Sequence, residues 1–313
     1  MWRVVRYEEA MSSVWNDFVR ESRNGTFLLD RGYMDYHSER FDDCSWLAYK
    51  GNRLMALLPA NLTDDGVIHS HSGLTYGGWI LPPSHLDGAD VLHIFETALS
   101  AWRKMNIKGF DYKTIPYIYH RQPSQDDIYS LFRLGAKLTE CNLSATIDLR
   151  NPGRFNKLQR RHLDKSIEIP YSFEVVEDIE AFMDMLEECL HLRHEASPVH
   201  TAAEMKLLRD RFPDNIRFYA IVYEEEMHAG VCMYDTGTVA HAQYIATTET
   251  GGRLNLLTPL FHRLINNEFC DRHYFDFGTS NEEHGLVLNE GLLRQKYSYG
   301  ATGTVYNRYF IEL

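Results

Sequence analysis

The stretch from His241 to Phe269 reads HAQYIATTETGGRLNLLTPLFHRLINNEF. Its first part reads as an extended strand. Two adjacent glycines follow, and apolar residues then recur at helical intervals. A strand that passes through Gly251-Gly252-Arg253 into a helix has two physical readings. One is an anion seat. The first N–H groups of a helix are unpaired and partly positive, glycine lets an anion approach the backbone, and Arg253 adds a formal charge. The other is a plain tight turn, the commoner use of paired glycines.

Outward from this stretch, the same plan occurs twice. Near the N-terminus, Met11, Val14, Trp15, Phe18 and Val19 lie on one helical face. SWLAYKGNRLMALLPAN then reads as a hairpin turning at Lys50-Gly51-Asn52, and GVIHSHSGLTYGG as an extended segment ending in glycines. GADVLHIFETALSAWRKM has helical periodicity, and GFDYKTI is a short strand. The second half repeats the order. DIEAFMDMLEECLHLRH is a helix, and RFYAIVYEEEMHAGVCMYD is a hairpin turning at Glu224–Glu226. TVAHAQYIATT is extended, NLLTPLFHRLINNEF is helical, and HYFDFGTS is a strand. Phe110-Asp111 aligns with Phe275-Asp276, which signals duplicated domains rather than a solenoid. The expected fold class is α+β: two tandem domains, 1–148 and 149–313, joined by a basic linker around 150–165. Each is a mixed, mostly antiparallel sheet flanked by helices.

The bulk numbers narrow the function. The chain has 313 residues, 44% of them hydrophobic and 24% charged, and so is long enough for two cores. A net charge of −12 argues against a nucleic-acid partner as the default. Five dispersed cysteines without a C-x-x-C pair read as reduced thiols, and the charged N-terminus lacks an apolar signal core. Both point to a cytoplasmic protein. No apolar run reaches the ~20 residues that span a bilayer.

This order of elements, with NGTFLLDRGYMDYHSERFDD, LTYGG, FPDNIRFYAIVYEEEMHAGVCMY, YFDFGTSNEEHG and LNEGLLRQKYSYGATGTVY, resembles the GNAT acyltransferase superfamily. The doubled plan is similar to the FemAB-like members, which include the Fem-type peptidoglycan-bridge aminoacyltransferases. The resemblance implies an N-acyltransferase using acetyl-CoA or another acyl-CoA. Its acceptor would be the amine of a small molecule or cell-envelope precursor, held on the side of the first domain. The same resemblance leaves open an aminoacyl-tRNA-dependent transferase, and a ligand-binding relative that has lost catalysis. Where the GNAT pyrophosphate loop usually reads Q/R-x-x-G-x-G/A, this chain has Glu249-Thr250-Gly251-Gly252-Arg253-Leu254-Asn255. The long coiled-coil arm of some Fem-type enzymes is missing.

Candidate roles follow. The resemblance assigns Thr248, Gly251, Gly252, Arg253 and Asn255 to the cofactor and Lys296 to the developing oxyanion. Asp276, flanked by Phe275 and Phe277, is a candidate base if burial raises its pKa, and His241 is a second. By family logic Arg31, Tyr33, His37, His71 and Tyr76 would hold the acceptor; as plain loop and aromatic-core residues they would not. Lys157, Arg161 and Lys165 share one helical face, which either is simply solvated or receives an anionic ligand. Fifteen histidines invite a metal reading: His69 and His71 alternate along an expected strand, and His191 and His194 lie one turn apart. Without H-E-x-x-H or a carboxylate–cysteine cluster, scattered histidines are the better account, and no metal is expected.

Overall fold

Local sequence accounts for most of the elements. In the computed structural model, residues 1–194 and 197–313 are described, the side chains of 192–194 excepted. The chain divides into two compact units. The first comprises Met1–Leu143, Asn281–Val287 and Val305–Leu313, the second Ser144–Ser280 and Leu288–Thr304.

In the first unit, β1 (Trp2–Arg6) precedes α1 (Ser12–Glu21), which buries Trp15 and Val19. Strands β2 (Trp46–Lys50) and β3 (Arg53–Leu58) form the expected hairpin, with Gly51 at φ 62°, a left-handed value that glycine adopts without steric cost. β1 pairs with β2 to complete a three-stranded antiparallel sheet. The stretch 67–78, expected to be extended, is a strand only over β4 (Val67–His69). His71 (φ 67°) is left-handed and takes the chain out of the strand. Helix α2 (Gly88–Lys104) is capped by Asp87 and buries Val91, Ile94, Phe95, Leu99 and Trp102, each worth roughly 1.5–3 kcal/mol. It crosses over to β5 (Gly109–Lys113), which pairs parallel with β4: Val67↔Gly109, Ile68↔Phe110, His69↔Asp111.

Strand β6 (Lys137–Asp148) is shared between the units, residues 137–143 belonging to the first and 144–148 to the second. In the second unit α3 (Lys157–Ser166) is followed by β7 (Ser172–Val175), α4 (Ile179–His194) and α5 (Ala202–Arg211). A capping box formed by Thr201 and Glu204 starts α5. Strands β8 (Ile216–Tyr223) and β9 (Glu226–Asp235) make the second hairpin, with Glu224 and Glu225 both at positive φ as a two-residue primed turn requires. Strand β10 (Val239–Thr247) pairs antiparallel with β9. Helices α6 (Glu249–Leu254) and α7 (Leu257–Arg263), the latter continued by a π turn, lead to β11 (Tyr274–Thr279). The order across this unit's sheet is β6-β11-β10-β9-β8-β7; β10 and β11 run parallel, and the other pairings in this order among the described residues are antiparallel. The chain ends in α8 (Glu290–Tyr297) and β12 (Thr302–Glu312). In the first unit β12 pairs antiparallel with β5 from Arg308 to Glu312.

The aligned Phe-Asp pairs therefore occupy equivalent rungs. His69 faces Asp111 where β4 meets β5, and His241 faces Asp276 where β10 meets β11. Both are α+β units of mixed, mainly antiparallel sheet.

Candidate active site

The parallel register of β10 and β11 runs Val239↔Tyr274, Ala240↔Phe275, His241↔Asp276 and ends there, although the strands continue to Thr247 and Thr279. The pairing of β9 with β10 slips between Cys232 and Met233, which makes Gln243 an extra residue and bends β10. Where β10 and β11 part, three of the sequence candidates meet. His241 Nδ1 lies 2.8 Å from Asp276 Oδ2. Ser144 Oγ and Thr146 Oγ1 donate to Asp276 Oδ1 at 2.5 and 2.8 Å. Gly278, whose φ of 76° suits glycine, lies beside the His241 ring, and a Cβ there would be in ordinary contact with Cε1 at 3.4 Å. Lys296 Nζ donates to the carbonyls of Gly278 (2.9 Å) and Thr279 (2.7 Å).

The electrostatics correct the reading of Asp276. Burial would raise its pKa, but the hydrogen bond and charge of His241, with the two hydroxyls, outweigh burial and hold it below the usual carboxylate range. A carboxylate so engaged is not a base; it orients the imidazole. Lys296 sits on α8 and is only 7% exposed, unlike an ordinary surface lysine. Burial lowers its pKa to about 8, with Asp276 opposing the shift. An ammonium has three donors, and two are used on carbonyls.

The opening glycine stretch differs from expectation. The helix starts at Glu249, before the glycines. Thr248 caps it through Gly251 N, and Gly252 N bonds Thr248 O at 2.9 Å. The N–H groups of both glycines are therefore used inside α6. Gly251 is needed for packing, since a Cβ would lie 1.9 Å from His228 O, whereas Gly252 faces open space. Asn255 ends α6 in a left-handed conformation (φ 58°). Beside the glycines lies a cavity of about 170 Å³, lined by Gln159, Thr247, Gly251, Gly252, Asn255, Thr258, Gln295 and Tyr299 among others. Gln159 bridges it, donating to Ser298 Oγ (2.9 Å) and accepting from Thr258 Oγ1 (2.6 Å). Tyr299 stacks on Phe277, next to Asp276, and burial pushes its phenol up to about 12. The cavity thus adjoins the His241–Asp276–Lys296 cluster through Gln295, which precedes Lys296 on α8, and through Tyr299, stacked on the neighbour of Asp276.

Residues 156–284 match the family model "Acetyltransferase (GNAT) domain". This stretch, most of the second unit, is similar to acetyltransferase domains of the GNAT type. Among solved structures, the fold of the chain is similar to that of FemX (TM-score 0.70, 8% identity, covering 99% of this chain and 97% of that one). It is also similar to L-PGS from Bacillus licheniformis (0.63, 12%, covering 97% and 92%). A third is a tandem GNAT protein from the clavulanic acid biosynthesis pathway (0.52, 12%, covering 100% and 98%). At these identities the likeness is one of fold. No curated protein matches.

The remaining candidates fall differently. Arg31 is buried, paired with Asp35 at 2.7 Å and with Asp43, and lies over the Tyr7 ring, so it serves the core rather than a ligand. Tyr33 and His37 are buried among aromatic rings, and Tyr76 is buried with its hydroxyl 2.9 Å from that of Thr26. His71 is buried against His37, and desolvation lowers its pKa to about 3. All five are core groups in this structure. Arg161 is exposed on α3 with Lys157 and Lys165, and Arg253 is exposed on α6. Among the described residues no group of three or more His, Cys, Asp or Glu is placed to hold a metal; the side chain of His194 lies outside them. No described helix is long and apolar enough to cross a membrane. The sequence reading passed over Gln159, Thr258 and Tyr299. Tyr299 alone had a signal, three residues beyond Lys296.

Proposed function

We propose that the second unit transfers an acyl group from an acyl-CoA to the amine of a small molecule or envelope precursor. One observation supports this above the others: His241, Asp276 and Lys296 converge where two parallel strands part, beside a cavity walled by the glycine helix. Acyl transfer to an amine requires alignment, removal of a proton and a donor for the oxyanion. Asp276 holds His241 through Nδ1, which sets Nε2 as the basic nitrogen. The amine nitrogen attacks the acyl carbon as His241 accepts its proton. The carbonyl oxygen becomes an oxyanion, met by the third N–H of Lys296. The carbon–sulfur bond then breaks, and the thiolate leaves and takes up a proton from solvent, while Tyr299, kept neutral by burial, lines the cavity beside it. The pantetheine arm would occupy the cavity, with Thr248, Gly252, Arg253 and Asn255 at its phosphate end.

A second reading replaces the donor with an aminoacyl-tRNA. It is favoured by Lys157, Arg161 and Lys165, exposed on α3 within the same unit, and by the fold likeness to FemX and L-PGS. The test is direct: titrate the purified protein with acetyl-CoA and with tRNA at rising salt, then assay amine acylation. Saturable coenzyme binding with turnover supports the first reading. A tRNA complex that weakens ~10³–10⁵-fold between 50 and 200 mM salt, as 6–10 phosphate contacts would require, supports the second. No response to either donor would leave a binding protein that has lost catalysis.

A further inference from the structure

The first unit carries its own copy of the His–Asp rung, differently dressed. His69 Nδ1 lies 3.3 Å from Asp111 Oδ2. Where Asp276 receives two hydroxyls, Asp111 Oδ1 receives Arg308 Nε at 2.6 Å. Arg308 Nη2 also lies 3.5 Å from His69 Nδ1, and Nη1 3.3 Å from Glu140 Oε2. An imidazole and carboxylate so committed to a guanidinium are not set up to move a proton. A buried lysine recurs too. Lys113 Nζ donates to the carbonyls of His71 (3.5 Å), Ser72 (3.1 Å) and Leu74 (2.8 Å), one more than the two that Lys296 meets at Gly278 and Thr279. Burial lowers its pKa to about 8, with Arg308 adding to the shift.

Beside this cluster is a cavity of about 250 Å³, whose lining includes Lys113, Arg308, Glu140, Asn142, Tyr306 and Asn307. Two features specify its occupant. Lys113 and Arg308 are balanced by Asp111 and Glu140, so the site has charges of both signs and little net charge. Asn307 Oδ1 is buried without a hydrogen-bond partner, an arrangement that costs about 1–3 kcal/mol until a donor arrives. A dianion such as phosphate suits the first poorly, because Asp111 and Glu140 already neutralise the cations. A zwitterion suits both, with its carboxylate toward the remaining N–H groups of Arg308, in the field of the Lys113 ammonium, and its ammonium or amide N–H toward Glu140 and Asn307.

We propose that this cavity of the first unit binds a small zwitterion of the amino-acid or dipeptide class, in a site distinct from the His241–Asp276–Lys296 cluster. The proposal stands on first-unit residues alone and does not depend on the chemistry of the second unit. It is tested by calorimetric titration of the full chain with L-alanyl-L-alanine, its N-acetyl form, its C-terminal amide and inorganic phosphate. The expected result is one-to-one binding of the dipeptide, with each blocked form at least tenfold weaker and phosphate weaker still. Asn307→Leu and Glu140→Gln, checked for an unchanged melting profile, each weaken it at least tenfold, whereas Lys296→Met leaves it unchanged. Two variants keep the test open if one fails to fold. Absence of saturable binding, equal binding of the blocked forms, tighter binding of phosphate, or loss in Lys296→Met would each overturn the proposal. A dipeptide site with no acyl transfer would overturn the proposed function and leave this one standing.

Discussion

At the scale of single residues, the proposed chemistry depends on a lysine whose ammonium is buried yet still charged at neutral pH. With a pKa of about 8, Lys296 is roughly nine-tenths protonated at pH 7. If it meets the oxyanion as a cation, the rate of acyl transfer falls as pH rises through about 8. Lys296→Arg, which keeps its charge, removes that fall while lowering the plateau by misplacing the donor. A pH–rate profile of both proteins checks this. Asp276 makes the opposite case. Its folded pKa lies below the unfolded value, so its stabilisation is present above the unfolded pKa and is lost as pH falls through the folded one. Asp276→Asn is expected to lose about 3–5 kcal/mol at pH 7, with the deficit shrinking in acid, as read by urea unfolding at pH 7 and pH 3.

At the scale of elements, the two glycines of α6 separate packing from ligand approach. Gly251→Ala places a methyl group into the carbonyl of His228 and is expected to cost several kcal/mol. Gly252→Ala meets nothing, and gains about 0.5–1 kcal/mol of helix stability. If a donor lies against that face, the same substitution weakens coenzyme binding while the melting temperature rises. Thermal melts paired with calorimetry distinguish the two effects. The hairpins and crossover helices were legible in the sequence because their periodicities are local. The start of α6 was less so: the glycines draw the eye, but Thr248 is an N-cap residue just before them, and the cap sets the boundary. The core role of Arg31 was hidden because its acidic partners, especially Asp43, are brought to it only by the fold. Gln159 meets Thr258 and Ser298 across some hundred residues of sequence, a junction no local pattern predicts.

At the scale of the whole molecule, duplication with divergence organises the chain. Both units keep a His–Asp rung at a parallel strand pair and a lysine fastened to carbonyls. Only the second pairs its rung with hydroxyls and a glycine-walled cavity. The repeat was visible in the aligned Phe-Asp pairs, but its chemical asymmetry was not, because Arg308 reaches Asp111 from the far end of the sequence. The net charge of −12 sits alongside the exposed basic face of α3. Replacing Lys157, Arg161 and Lys165 with Glu is expected to leave folding intact. If the donor is tRNA, it lowers the log–log salt slope of binding by about 0.9 for each lost phosphate contact. If the donor is coenzyme A, it leaves acyl transfer within a few-fold of the parent rate. The most direct test of the central claim is the single-turnover rate of acyl transfer in Lys296→Met, at saturating donor and acceptor, with folding verified by its melting curve. The account predicts a loss of at least about 100-fold with donor binding retained; a rate within threefold of the unaltered protein would contradict it.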